Sequence, residues 1–537
     1  MRLLLTFLCL ALALPVLGVL GAWLAFDAAA LAVLQHQAST VLAGYVVQSL
    51  LLAGGVGIGV VLVGAGAAAA VTLFDFPGRR VFEWLLLLPL AMPAYVLAYA
   101  WTDALQFAGP IQTGLRGMLG LQGALWPDVR SLWGAVILFV LCLYPYVYLL
   151  ARTALGERAV PMMEAARLLG AGTRRRLLEV ALPLARPAIA AGTALALMET
   201  LADYGVGAYF GLTTFSTGIY KAWLVMNDRN AAAQLASMLL AVVALLLWAE
   251  RRAQRRMRFA GARSAGGAGS SESRPLPLHG AAAALAIALC VLPVLLGFVL
   301  PVLWLARLLW LEATASEFGL PMARFAEWGL ASFKLATAAS AAATVLALAL
   351  AFVLRQGSAG PLTVVARVLS LGYAVPGAVI AIGILLPVGW LQSRWPDAPV
   401  SALVTGTLFG LLYAYLVRFS AVALQSVEAG YARVPHSIDE SARLLGGGSR
   451  RLFVELHLPL LKRSALAAAL LVFVDVMKEL PATLVLRPFG SDTLAVVAYN
   501  FARDERLAEA ALPSLAIVAV GLIPVILLSR AMRAPGA

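Results

Sequence analysis

A polar segment of twenty residues occurs twice in this chain, set each time inside strongly apolar sequence. EAARLLGAGTRRRLLEVALP, from Glu164 to Pro183, returns as ESARLLGGGSRRLFVELHLP from Glu440 to Pro459. The glutamates and the prolines are both 276 residues apart, so no gap separates the copies. Both copies are basic and punctuated by glycine. The chain must therefore fold as a duplicated architecture in which one polar loop joins the same pair of helices twice.

The surroundings of the loops fix the solvent. Of the 537 residues, 62% are hydrophobic and 12% charged, where a soluble domain is about half apolar and about a quarter charged. Several apolar runs exceed the roughly 18 residues that cross a bilayer as a helix. The pattern predicts six spans in the first half, near 4–26, 46–73, 82–104, 131–151, 185–208 and 231–249. Six more follow near 280–311, 331–354, 362–391, 400–425, 461–484 and 508–530. The expectation is an all-α integral membrane protein of about twelve transmembrane helices in two homologous six-helix halves.

A net charge of +13 raises the question of nucleic acid. The basic residues instead fall in alternate loops: Arg79 with Arg80, Arg174 to Arg176, Arg251 to Arg258, Arg450 with Arg451, Lys462 with Arg463, and Arg530 with Arg533. The positive-inside rule makes that side cytoplasmic and places both termini there. Topology accounts for the charge without a nucleic-acid partner. Cys9, Cys142 and Cys290 lie in the expected spans with no metal-ligand spacing, and read as small packing residues. The apolar run after Arg2 is longer than a cleaved signal requires and reads as a first helix.

Between the halves, residues 251–279 are rich in Arg, Gly, Ser and Pro and read as a flexible basic cytoplasmic linker. The domain expectation is a first half over 1–250, with its loop at about 152–184, and a second over 280–537, with its loop at about 428–460. The repeat runs on in register beyond the loops. Glu199 matches Asp475, Asp203 matches Glu479, Thr217 matches Thr493 and Asp228 matches Asp504. Pro93 corresponds to Pro376 at a different offset.

In each loop the small residues Ala165 and Ala166, or Ser441 and Ala442, follow the glutamate (Glu164 or Glu440) and let a partner approach the backbone closely. Gly170 with Gly172, and Gly446 with Gly448, permit a tight turn. Pro183 and Pro459 precede the next span. The product is a short protruding helix–turn–helix, and both copies resemble the EAA loop of importer-type ABC transporter permeases. That pattern is EAA, a Gly four residues after the last Ala, and a later Leu-Pro. Ser441 is the one departure, and it stays small. The resemblance implies that each loop is a coupling helix seated in an ATP-binding subunit, so two copies of a cytoplasmic ATPase are expected, with a periplasmic substrate-binding protein on the other face. A Walker-type phosphate loop occurs nowhere in the chain. ATP and Mg are therefore expected on a separate ATPase polypeptide, with no cofactor in this chain, no catalytic residues and no enzyme activity of its own.

MKELPATLVLRPFGSDTLAV (Met477 to Val496), LADYGVGAYFGLTTFSTGIYKAW (Leu201 to Trp223) and LPLAMPAYVLAYAW (Leu88 to Trp101) are similar to segments of the fused two-part permeases of ferric-iron importers. Permeases for thiamine and phosphonates share this architecture and are the alternatives. A secondary transporter driven by ions is the competitor of another class, and the twin loops argue against it. The resemblance implies a bacterial inner-membrane location.

The residues add an independent argument about cargo. Glu199 and Asp203 stand four apart, as do Asp475 and Glu479. Like charges at that spacing share a helix face and repel. From Pro183, Glu199 lies roughly 24 Å up the helix and Asp203 near its outer end. Ionisable groups at such depth usually face a polar path, and hard cations prefer oxygen donors. These four acids are the substrate-pathway candidates, with Lys478 placed to neutralise one of them. Tyr95, Tyr99 and Tyr204 offer phenolic oxygens as well. No metal site is assigned. His36, His279, His436 and His457 lack paired spacing, and His436 and His457 read as surface residues of the second loop.

Overall fold

Inside a bilayer the backbone has no water to bond, so long apolar runs must satisfy their own N–H and C=O groups, and here they do so as helices. The computed structural model describes residues 2–24, 27–156, 160–262, 275–315, 319–357 and 360–532. The first half contains α1 (Arg2–Gly21), α2 (Leu42–Leu73), α3 (Arg79–Leu85), α4 (Ala94–Leu105) and α5 (Leu132–Ala154). It continues with α6 (Val160–Leu168), α7 (Leu182–Ala202), α8 (Gly205–Tyr209) and α9 (Arg229–Ala262). The second half contains α10 (Gly280–Ala315), α11 (Met322–Arg355), α12 (Pro361–Leu369), α13 (Gly377–Arg394) and α14 (Leu408–Tyr431). After these come α15 (His436–Leu444), α16 (Leu458–Met477), α17 (Pro481–Leu486), α18 (Leu494–Arg503) and α19 (Leu507–Met532).

Among the described residues ten helices are long and apolar enough to span, or eleven when a bent pair is counted as one span. That pair, Arg79–Ala91 with Ala94–Leu119, turns through 90°. The break falls at Pro93, whose ring leaves its backbone extended (φ −60°, ψ 141°) before α4 begins. Pro376 does the same ahead of α13 (φ −57°, ψ 141°), so the two prolines play one role in both halves. Twelve spans are expected from the sequence. The eleventh of them corresponds to α16, which carries Lys462, Arg463 and Asp475 and is too charged to pass as an apolar span on composition.

The chain forms two compact units, and these interleave the sequence halves. One unit comprises Met1–Gln37, Ile219–Leu240 and Pro321–Val497; the other comprises Ala38–Gly218, Ala241–Leu320 and Ala498–Ala537. Each half thus gives its first apolar helix to the unit built mainly from the other half. In the first unit α1 lies directly on α13: a Cβ on Gly18 would stand 2.6 Å from the Gly383 carbonyl oxygen, and one on Gly383 would stand 2.0 Å from that of Pro15. Only glycine on both sides allows this approach. The Tyr413 hydroxyl donates to the Ala11 carbonyl, and Trp23 Nε1 donates to Ser237 Oγ at 2.9 Å. In the second unit α10 packs beside α4, with Trp101 Nε1 on the Leu296 carbonyl at 3.0 Å and Trp304 Nε1 on Asp103 Oδ2 at 2.9 Å.

The connection between the halves is more ordered than its composition suggests. Residues 251–262 continue α9 because Arg, Ala, Gln and Met are good helix formers. Phe74–Asp75 (β1) pairs in parallel with Leu276–Pro277 (β2). Of the linker expected over 251–279, residues 251–262 are helical and 276–277 are strand, and residues 263–274 lie outside the described residues. Cys9, Cys142 and Cys290 are buried free thiols, in keeping with a packing role.

Candidate coupling loops and the acidic sites beyond them

The two loops are congruent residue by residue. In the first, α6 ends at Leu168, Thr173–Arg175 forms a short helical turn, and a π-turn over Arg176–Ala181 leads into α7. In the second, α15 ends at Leu444, Ser449–Arg451 forms the turn, and a π-turn over Leu452–His457 leads into α16. Each boundary is displaced by 276 residues. Pro183 and Pro459 come just after the π-turns, whose wider coil relieves the clash a proline ring makes with the preceding turn.

Gly170 and Gly446 close the first helix of each loop in the left-handed region, at φ +82° and +80°. Gly170 N–H donates to the Arg167 carbonyl at 2.9 Å and Ala171 N–H to that of Ala166 at 3.0 Å. Gly446 donates to Arg443 at 3.0 Å and Gly447 to Ala442 at 2.9 Å. This pair of bonds is the Schellman ending, which favours glycine at the left-handed position. Gly172 and Gly448 are different: both are extended (φ −66° and −72°), with open space where a Cβ would go. Their backbone does not require glycine.

At the turn each loop holds two leucines out to solvent. Leu168 and Leu169 are 89% and 88% exposed, and Leu444 and Leu445 are 89% and 85% exposed. Ala165, Ser441 and Glu440 are exposed beside them, while Glu164, Ala166 and Ala442 are half-buried. Apolar side chains held out in pairs, at the same place in two copies, mark an interaction surface. Each loop is stiffened behind that surface by a matched ion pair, Arg175–Glu179 and Arg451–Glu455, both at 2.7 Å.

The loops differ in how they are anchored. Under the second, Asp439 is buried and accepts from Arg355 Nε at 2.7 Å. Arg355 also donates to the Val434 and Pro435 carbonyls at 2.9 Å each, and His457 Nε2 lies 3.4 Å from Asp439 Oδ1. Burial lowers the His457 pKa more than the Asp439 carboxylate raises it, so the imidazole is neutral and Arg355 carries the balancing charge. His457 is thus a core residue at 1% exposure, against the surface position its spacing suggests, whereas His436 is exposed. In the first loop Met163 and Ala181 occupy the positions of Asp439 and His457, and both are buried. One loop is held by charge, the other by apolar packing.

Beyond the loops, Asp203 and Glu479 make the same local bond. Val206 N–H donates to Asp203 Oδ1 at 2.8 Å, and Ala482 N–H donates to Glu479 Oε1 at 2.8 Å. Each carboxylate opens a short helix, α8 or α17, after the long one has ended. Their electrostatic settings diverge. The Glu479 side chain is 2% exposed and paired with Arg418 at 3.2 Å, and it also accepts from the Thr483 amide at 3.0 Å. The position matching Arg418 in the first half is Cys142. Asp475 pairs with Lys478 at 2.9 Å, and Glu199 is half-buried. The repeat of the acids holds in position for both pairs, and in the local bond for Asp203 and Glu479. Among the described residues no group of three or more His, Cys, Asp or Glu side chains is placed to hold a metal ion.

The sequence profile of the binding-protein-dependent transport system inner membrane component matches twice, over residues 60–259 and 361–534. The chain belongs to that family. It is a transport permease with the family domain present in both halves, the arrangement of a fused two-part importer permease. This permease is 24% identical over 464 residues to the Fe(3+)-transport system permease protein FbpB 2 of Haemophilus influenzae, covering 85% of this chain and 84% of the relative. It is 30% identical over 194 residues to the molybdenum transport system permease protein ModB of Escherichia coli, covering 34% of this chain and 81% of the relative. PhnV of Salmonella typhimurium, assigned in name to 2-aminoethylphosphonate transport, is 28% identical over 207 residues, 38% of this chain and 75% of that relative. The two shorter matches cover most of a relative but about a third of this permease, as a duplicated chain requires.

Proposed function

We propose that this permease is the membrane-spanning subunit of an ATP-driven importer that moves ferric iron, delivered by a periplasmic binding protein, into the cytoplasm. Each coupling loop seats its exposed leucine pair in one copy of a cytoplasmic ATPase, so one chain serves two copies. Both termini lie on the ATPase side. The observation that carries the reading is the congruence of the two loops, with the same glycine ending, the same π-turn and the same exposed leucines. Closure of the ATPase dimer on ATP swings the loops, and the π-turns pass that motion to α7 and α16. The cargo assignment is supported by a similarity to an iron permease that runs along most of both chains.

Glu199, Asp203, Asp475 and Glu479 are the acids we place on the substrate path, Glu479 and Asp475 with a basic partner on the same unit. A molybdate or phosphonate importer is the second reading, favoured by the shorter matches. The test is uptake by cells that lack their own ferric importer and express this permease with its binding protein and ATPase. Labelled ferric citrate should accumulate in an ATP-dependent manner, with no competition from molybdate, 2-aminoethylphosphonate or thiamine. Uptake of one of those competitors in place of iron would overturn the cargo.

A further inference from the structure

Near its C-terminal end α10 carries a charge on a face otherwise lined with apolar side chains. Leu285, Leu292, Leu303 and Trp310 are exposed at helical spacing, the stripe that a spanning helix turns to lipid. Arg307 is exposed on the same stripe, one turn from Leu303 and one from Trp310. Its place along the helix sets its depth. From Gly280 it lies roughly 40 Å along α10, the level of the far headgroups in a bilayer about 40–45 Å thick with its polar regions. A guanidinium on a lipid-facing stripe is costly in hydrocarbon and is tolerated where it reaches headgroup oxygens.

Beside Arg307 the second unit leaves a cavity of about 280 Å³ between α10, α4 and the helix Pro110–Leu119. Its walls are apolar, with Trp101 from α4, Ile111 from the short helix, and Leu300, Leu303 and Trp304 from α10. The indole N–H groups are engaged elsewhere, Trp101 with the Leu296 carbonyl and Trp304 with the Asp103 carboxylate. Those bonds fix the two rings in the wall. The Arg307 guanidinium lies 4.9 Å over the Trp304 ring, which holds the charge beside the cavity. Among the described residues no carboxylate forms an ion pair with Arg307. Glu312, the next acid on α10, stands near enough to Arg506 to act on it.

The two features select an amphiphile together. A free oxyanion has no use for the apolar cavity, and a plain hydrocarbon has none for the arginine. A lipid tail fills the first while its phosphate takes a charge-assisted bond from the second. At the 276-residue offset of the repeat, Ala28 and Leu31 stand for Trp304 and Arg307, so the first half carries no such pair. We propose that this cavity binds one anionic phospholipid per chain, with an acyl chain against Trp101 and Trp304 and the phosphate on Arg307. The lipid comes from the leaflet away from the linker between the halves, and the site is independent of the cargo.

The experiment titrates the full-length permease, purified in detergent and stripped of lipid, with phosphatidylglycerol and reads bound lipid by native mass spectrometry. The wild-type chain should retain one molecule more tightly than any further adduct. Arg307→Gln should weaken that first binding about tenfold or more, and Arg307→Lys, which keeps the charge, should lose less. Ile111→Trp narrows the cavity with the arginine intact and should weaken it as well. It serves as the second probe if Arg307→Gln fails to elute as a single species. First-molecule binding that is equal in the wild type, Arg307→Gln and Ile111→Trp would overturn the site. So would equally tight retention of diacylglycerol, which has tails and no phosphate, because the arginine would then select nothing. Glycerol 3-phosphate that displaces the phospholipid at equal concentration would overturn the lipid and make the ligand a free phosphate.

Discussion

Two glycines carry the shape of the coupling loops. At φ +82° and +80°, Gly170 and Gly446 occupy a conformation in which a Cβ crowds the backbone. No neighbouring atom lies within 4 Å of either built Cβ, so the demand comes from the backbone alone. Gly446→Val should therefore cost at least about 1–2 kcal/mol in the turn without disturbing any packed contact. The expected outcome is a permease that inserts and binds its ATPase but transports slowly while ATP continues to be hydrolysed. Transport and hydrolysis rates measured together in proteoliposomes check this, and a wild-type ratio would show that the turn does not transmit force. Gly448→Ala is the control, since its extended backbone accepts any residue.

At the scale of elements, the second loop rests on the end of α11 through Arg355, which binds Asp439 and three backbone carbonyls of the approach to α15. Arg355→Ala leaves the Asp439 carboxylate buried and uncompensated, a change that typically costs about 3–5 kcal/mol. Amide hydrogen exchange should rise across His436–Leu444 and stay unchanged across Val160–Leu168, whose anchor is apolar. Equal changes in both loops would mean the anchor acts on the whole fold. Much of this level is legible in the sequence. The gap-free repeat fixed both loops, and the register of Asp203 with Glu479 survives as an identical capping bond. What the sequence could not show is partnership across long separations. Arg355 is 84 residues from Asp439, and Arg418 is 61 from Glu479. Periodicity reports which face a residue occupies on its own helix, but not which charge comes to meet it. The burial of His457 is hidden for the same reason, because a histidine in a polar loop looks solvent-facing until Phe352 and Tyr431 are seen packed against it.

For the whole molecule, the exchange of first helices changes what the halves of the sequence mean. The hydropathy pattern gives the number and order of helices, but nothing in it says that α1 packs against α13, a contact that depends on two glycines meeting face to face. Cutting the chain near Gly267, a position outside the described residues, should still leave a working permease when both fragments are co-expressed. The N-terminal fragment supplies residues 1–37 and 219–240 to the unit built on 321–497, so the fragments should co-purify in detergent, and neither should be stable alone. Independent accumulation of either fragment as a folded species would contradict the exchange. The loops remain the claim on which the rest depends. All three native cysteines are buried, so single cysteines at Leu168 and Leu444 can be cross-linked selectively to the ATPase in the assembled importer. Both positions should cross-link, each to its own ATPase copy, giving two copies per chain. An intact complex in which either position fails to cross-link would contradict the twin-coupling account.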